Sequence, residues 1–384
     1  MPIHLLALVT FILFLSTQIG VPSLPRLSAE MGANPQEMAA VLSSALMTLV
    51  ALQFFSGALA DRYGRRTVLV GGAALGGLTS LLCAFVTQWQ WLLALRVLGG
   101  VADAIAMPAL LGLTAEISEG RQGAFFGVLR SSQGLSFIIA PSIGGWLALY
   151  SLRAPFVVDG LLSFAACAAI FIFVRGGKIE AGHALDIGGL ARVFSQRRVW
   201  AFALFAAVNN FAFPILAAFL PIKAVSLGYV EWQIAAMLAL EAIGFTVASF
   251  VVGRFSDRVG RRPFIIVAQP LIVIACVGLF FARDLPMLIA WYSLFGFASG
   301  TTFLLGLVMM ADITPSEHAA TTLGSFDAMI DLVIFVAPLV AITASGVIGL
   351  EWVLVLAGLP ALVAFPIALA THETRAAVVA RDER

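Results

Sequence analysis

Seven ionisable side chains stand inside long apolar runs: Arg96, Asp103, Arg130, Asp159, Glu241, Asp327 and Asp331. If those runs cross a membrane, each charge costs about 2.5–3.5 kcal/mol on insertion scales, which makes it a functional candidate by default. Arg96 and Asp103 are seven residues apart, with Gly99 and Gly100 between them. On a helix they share a face, separated by roughly 10 Å of rise. Asp327 and Asp331 form an i, i+4 pair on one face. Two carboxylates one turn apart repel when both are ionised, so one proton shared between them is favoured. A carboxyl that takes and gives a proton near neutral pH is what proton exchange requires. Asp103, Glu241, Asp327 and Asp331 are therefore the proton-coupling candidates, with Arg96 and Arg130 as their charge partners. The competing reading is a set of structural ion pairs that never titrate, and Asp159, close to the end of its run, fits that reading. Gln133, Asn209 and Asn210 are candidate polar contacts for a substrate, or else hydrogen bonds between helices.

Other chemistries have little support. The three cysteines, Cys83, Cys167 and Cys276, are scattered through apolar runs, which suits neither a disulfide framework nor a metal site. The histidines, His4, His183, His318 and His372, form no ligand pair. No metal, no cofactor and no enzymatic nucleophile–base pair is expected. The net charge of +1 gives no field for nucleic acid.

The elements that must position these groups are membrane helices. Of 384 residues, 61% are apolar and 11% charged, and the mean hydropathy is +1.02. A soluble domain is about 45–50% apolar and about 25% charged, so this composition leaves no polar coat. Runs of about 20 apolar residues suffice to span a bilayer as helices. They fall at 4–25, 37–60, 67–88, 91–115, 122–150, 154–174, 199–222, 231–253, 263–282, 285–311, 318–347 and 350–371. The first lacks a basic preceding region and reads as a span rather than a cleaved leader. With a cytoplasmic N-terminus, sixteen basic residues of the loops and tails fall on the cytoplasmic side. Only Arg26, Arg153, Lys223 and Arg283 fall outside, a strong positive-inside bias that puts both termini in the cytoplasm. Trp89 and Trp91 read as interfacial anchors.

The chain is also repeated. Residues 57–66, GALADRYGRR, recur as residues 253–262, GRFSDRVGRR, at an offset of 196. At the same offset Glu116 falls on Asp312. At 197, Gly127 falls on Gly324, Pro141 on Pro338 and Arg130 on Asp327. This predicts an N-terminal six-helix bundle over 1–175, a polar cytoplasmic linker over 176–198, a C-terminal six-helix bundle over 199–372 and a tail over 373–384. Gly64 and Gly260 permit a tight turn. Asp61, at a helix end, can meet a neighbouring helix N-terminus or a basic side chain, and Glu116 is a partner for Arg65 or Arg66.

In these features the sequence resembles the major facilitator superfamily over essentially its whole length. The two copies of G-x-x-x-D-R-x-G-R-R match that family's loop motif between helices 2–3 and 8–9. The resemblance implies an all-α membrane protein of twelve helices in two pseudo-symmetric bundles. It also implies a gating role for Gly57, Asp61, Arg62, Gly64, Arg65, Arg66 and Glu116, and for Gly253, Asp257, Arg258, Gly260 and Arg261. A solvated cluster that only fixes topology is the alternative. Leu95–Gly100 is similar to the arginine motif of the family's proton-coupled drug exporters. Gly134, Ala140, Pro141, Gly144 and Gly145 resemble its antiporter motif, with Ala140 where Gly is usual. Related exporters often carry an acid in helix 1, where this chain reads Ser16-Thr17-Gln18-Ile19-Gly20.

The resulting expectation is a monomeric, proton-coupled exporter of a small, partly apolar molecule in a bacterial inner membrane. An importer or facilitator of a polar metabolite, or a transporter-like sensor or scaffold, would use the same fold. The partners expected are protons, a small-molecule substrate and the lipid bilayer.

Overall fold

The computed structural model describes residues 3–118, 120–174, 204–370 and 373–374, and among them the regular structure is entirely helical. The linker at 176–198 and residues 375–384 lie outside the described residues. Twelve long helices are labelled in chain order. They are α1 (Ile3–Ile19), α2 (Pro35–Tyr63), α3 (Arg65–Cys83), α4 (Trp89–Ile117), α5 (Gln122–Ala148) and α6 (Ala154–Phe173), then α7 (Ala212–Ser226), α8 (Glu231–Val259), α9 (Arg262–Phe281), α10 (Leu285–Ile313), α11 (Ala319–Ile348) and α12 (Leu350–Ala370). A short helix, Leu24–Glu30, follows α1.

Among the described residues, eleven helices are long and apolar enough to cross a membrane. The remaining one, α5, has the length, but Arg130, Gln133 and several serines lower its hydropathy. A polar helix among apolar ones needs protein around it rather than lipid.

Local signals explain the boundaries. Asn34 accepts from the amides of Gln36 and Glu37 (2.9 and 3.0 Å), while Glu37 accepts from the amide of Asn34 (2.8 Å). This capping box starts α2, with Pro35 at its first position. Asp284 opens α10 in a similar way, accepting from the amide of Met287 at 2.8 Å. The turns between α2 and α3 and between α8 and α9 are tighter than the hydropathy suggests. Asp61 and Arg62 are still helical, and Gly64 alone, at φ 89°, separates the two helices. Gly260, at φ 107°, turns the chain between α8 and α9 together with Arg261, the N-cap of α9. The seventh span, expected as one run over 199–222, breaks at Asn210–Phe211. Pro214 offers no N–H to the carbonyl of Asn210, which releases the helix there.

By packing, the chain falls into two compact units. The first contains the chain up to Ile117, Leu135 through α6, and Pro315–Ala328. The second contains Ser118–Gly134, α7 through Thr314, and Met329 through α12. Within the first, α4 packs on α2 and α3, and α6 packs on α3 and α1. Within the second, α10 packs on α8 and α9, and α12 packs on α9 and α7. These are the same contacts shifted by one repeat. Each unit also contains a piece of the other sequence half: the first part of α11 in one, the first part of α5 in the other.

Glycines set the closest approaches. Gly100 on α4 lies against Ala45 and Thr48 of α2, where an added Cβ would come within 2.8 Å of the Thr48 Cβ. At the repeat offset of 196, Gly296 on α10 lies against the backbone of Glu241 on α8. Gly100→Val is expected to cost about 1–3 kcal/mol by overpacking, read as a lower thermal midpoint in detergent. Gly71→Ala, where an added Cβ meets nothing within 4 Å, is the control and leaves the midpoint the same or slightly higher.

Three of the four basic residues assigned to the outer side have structural work. Arg153 donates to the carbonyl of Ala84 at the end of α3 (2.8 Å). Lys223, fully buried, donates to Leu279 and Phe280 at the end of α9 (2.7 and 2.8 Å). Arg283 pairs with Glu351, which also lies 4.0 Å from Lys223. Cations at helix C-termini satisfy free carbonyls and oppose the helix dipole.

Candidate functional site: two latches and the charges within the spans

The repeated motif builds the same device twice. In the first unit, the Asp61 carboxylate accepts from the amides of Ala320 and Thr321 (3.2 and 2.8 Å) and from the Thr321 hydroxyl (2.7 Å). These are the first amides of α11, so Asp61 caps that helix from α2. Arg65 grips Asp61 (3.0 Å) and Glu116 (3.0 Å), and donates to the carbonyls of Gly112 and Ser316. Gly57 lets α2 approach α11: a Cβ there would lie 2.5 Å from the Thr321 Cα.

In the second unit, Asp257 accepts from the amides of Gly123 and Ala124 (3.0 and 2.7 Å) and so caps α5 from α8. Arg261 grips Asp257 (2.7 Å) and Asp312 (3.3 Å). Gly253 faces Gly123 and Gly127 in backbone contact that leaves no space for a side chain. Every pair maps on its counterpart at 196 or 197. Arg66 and Arg262 also correspond, donating to the carbonyls of Phe171 on α6 and Leu369 on α12. Arg62 and Arg258 are exposed beside these clusters.

The charges within the spans divide between the units. Arg96 and Asp103 are half-buried on α4, and Arg96 lies within electrostatic reach of both Asp103 and Asp159. Asp159 is buried and accepts from the hydroxyls of Ser80 (2.6 Å) and Ser163 (3.3 Å). Asp327 is buried and accepts from Gln53 of α2 at 3.4 Å. The two serines and Gln53 had no signal in the sequence beyond being polar in an apolar run. Asp331, half-buried, belongs to the second unit.

In that unit Arg130 is buried, donates to Gln133 (2.9 Å) and lies 4.4 Å from the ring centre of Phe303. Phe303 in turn lies 5.7 Å from Phe245. Cation–π contact of this kind is stronger where water is excluded. Glu241 on α8 is buried beside Tyr292, and its Oε1 has no hydrogen-bond partner. Among the described residues it forms no ion pair. At the repeat offset of 196, its place in the first unit is held by Ala45.

The remaining polar candidates are committed locally. The side-chain amides of Asn209 and Asn210 donate to the carbonyls of Phe205 and Ala206 one turn back, at 2.7 and 2.8 Å. The small residues of α5 face in two directions. Gly134 is pressed on Thr246 of α8, whereas Gly144 is pressed on Ile19 of α1. The Ala140 methyl is buried with Leu15 and Ile19, so alanine fits where a glycine would leave a gap. Pro141 lies inside the helix, and Gly145 has open space.

The sequence fits the Major Facilitator Superfamily over residues 6–240 and again over 202–383. The chain belongs to that superfamily. Among similar proteins, the quinolone resistance protein NorA of Staphylococcus aureus is 28% identical over 169 residues, 44% of this chain and 44% of that protein. Multidrug resistance protein 2 of Bacillus subtilis is 26% identical over 178 residues, 46% of this chain and 44% of that protein. The matched stretches thus span under half the length of these relatives. The crystal structure of the human organic anion transporter MFSD10 (TETRAN) superposes with a TM-score of 0.83, covering 95% of this chain and 98% of that one. At 18% identity this likeness concerns the fold alone. As a member of the Major Facilitator Superfamily, the protein is an all-α membrane protein.

Proposed function

We propose that the protein is a proton-coupled exporter of a small, partly apolar molecule that works by alternating access. In this reading two six-helix halves, 1–175 and 199–372, joined by the cytoplasmic linker 176–198, rock about a site near the midplane. The protein works as a monomer in a bacterial inner membrane, with both termini in the cytoplasm. The Asp61 and Asp257 latches help to set which state is preferred. Two drug-resistance proteins among the relatives and the antiporter-like residues of α5 support export. Arg130, Phe303 and Phe245 supply a surface for an aromatic or partly apolar substrate.

The observation that carries the coupling is Glu241. It stands in a span, buried, with one oxygen lacking a hydrogen bond, at a position the first repeat fills with Ala45. A carboxylate with no partner is costly at that depth, so the group is retained for chemistry that needs a proton. Asp103, Asp327 and Asp331 remain the other coupling candidates, and Arg96 and Arg130 the charges that respond to them.

Proteoliposomes with an imposed pH gradient and a panel of cationic, zwitterionic and anionic aromatic substrates test the reading. Substrate is expected to move against the proton flow. Accumulation along the proton flow would make the protein an importer. No fall in pH-driven flux after neutralising Asp103, Glu241, Asp327 and Asp331 together would overturn the coupling.

A further inference from the structure

Glu373 and Thr374 lie just past α12, outside both the apolar spans and the repeated motif. The two oxygens of Glu373 each lie 2.9 Å from the amide of Arg261, and one also accepts from the amide of Arg262 at 3.0 Å. These amides begin α9, whose N-cap residue supplies no side-chain acceptor of its own. Glu373 therefore caps α9 from another part of the chain, an anion at the positive end of a helix. Gly260 makes the room, because a Cβ there would lie 2.6 Å from Glu373 Oε2. Thr374 donates to Asp312 Oδ2 at 2.8 Å, the same oxygen that Arg261 Nε reaches at 3.3 Å.

The two residues thus hold the second latch at its backbone and at its acid. The capping acids Asp61 and Asp257 are alike in exposure, at 10% and 12%, and the latches differ at the arginine and its second acid. The Asp312 side chain is 2% exposed where its counterpart Glu116 is 36% exposed. Arg261 is 1% exposed where Arg65 is 10% exposed. Salt screens ion pairs that water reaches and affects enclosed ones much less.

The geometry points to Glu373 and Thr374 as positioning residues of the second latch, which make the two latches unequal. They keep Arg261 and Asp312 in place, so the α5 end stays fastened after the α11 end has let go. This device goes beyond the coupling reading and stands whether or not protons are exchanged.

Hydrogen exchange on the full chain in lipid nanodiscs tests it. The amides to follow are Ala320 and Thr321, which Asp61 accepts from, and Gly123 and Ala124, which Asp257 accepts from. Raising salt from about 0.1 M to about 1 M shortens the screening length from about 10 Å to about 3 Å. In the wild type this is expected to speed exchange at 320–321 and leave 123–124 slow. Glu373→Ala and Thr374→Val are each expected to speed exchange at 123–124 about tenfold, the scale of one hydrogen bond to a charged group. They leave 320–321 unchanged, which a general loss of stability would not do. Should Glu373→Ala fail to fold, Glu373→Gln keeps an acceptor but not the charge and reads the same segment. Unchanged exchange at 123–124 in both Glu373→Gln and Thr374→Val would overturn the inference. So would an equal response of the two wild-type segments to salt.

Discussion

Glu241→Gln is expected to reduce pH-driven substrate flux at least about tenfold while leaving the thermal midpoint the same or slightly higher. The two halves of that expectation have one cause. A charge deep in a span costs about 2.5–3.5 kcal/mol, and a carboxylate that stabilises the fold offsets this with hydrogen bonds or a cation. Glu241 has an Oε1 with no hydrogen bond and, among the described residues, no ion pair. Its surroundings are apolar: Met237 one turn earlier is fully buried, and Tyr292 and Phe295 stack with their ring centres 6.0 Å apart. Glutamine keeps the shape, removes the charge and the exchangeable proton, and leaves no native partner unsatisfied. Glu241→Ala goes further and restores what the first repeat has at Ala45.

The measurement pairs flux under an imposed pH gradient with counterflow in which no gradient is applied. Loss of the first with retention of the second locates the defect in coupling rather than in substrate binding. A variant that keeps full pH-driven flux would remove Glu241 from the cycle. The coupling reading would then rest on Asp103, Asp327 and Asp331.

The spans and the repeat were legible because both depend on short-range pattern. Helix ends such as Gly64 and Gly260 are local chemistry, and their residues announce them, whereas the Asn34–Glu37 box that starts α2 came only with the structure. The pairing of Arg65 with Glu116 was also within reach, since both residues end spans on one side. Gln53 with Asp327 was not, because 274 residues separate them and nothing in either sequence neighbourhood refers to the other. The repeat and the packing also divide the chain differently. Sequence similarity separates the halves near the linker, whereas contacts divide α5 after Gly134 and α11 after Ala328. A pattern read residue by residue follows ancestry, and helices pack with whatever lies beside them. Glu373 and Thr374 were read only as the beginning of a tail, because a polar segment past the last span carries no periodicity to interpret.

Asp61→Asn is expected to release the start of α11, and Asp257→Asn the start of α5, each without unfolding the unit concerned. Asp61 accepts three hydrogen bonds from α11, two from amides and one from Thr321, and holds Arg65 as well. Hydrogen bonds to a charged group contribute about 1.5–3 kcal/mol against about 0.5–1.5 for neutral ones. Losing the charge while keeping one acceptor oxygen therefore costs roughly 2–3 kcal/mol, on the order of a 30- to 150-fold shift in a two-state equilibrium. Ser325, buried on α11 and donating to the Phe54 carbonyl at 3.4 Å, provides the reporter. In a Cys167→Ser background, which removes the one half-buried native thiol, a Ser325→Cys protein should react slowly with a permeant maleimide. Adding Asp61→Asn should accelerate the reaction by the factor above. Ser249, buried on α8 against Gly127 of α5, reports the second latch in the same way when changed to cysteine. Asp257→Asn should open that site by a smaller factor, because Glu373 and Thr374 still hold Arg261 and Asp312. Equal acceleration at the two sites would mean that the latches carry equal loads. No acceleration at either would reduce both motifs to charge clusters that fix topology alone.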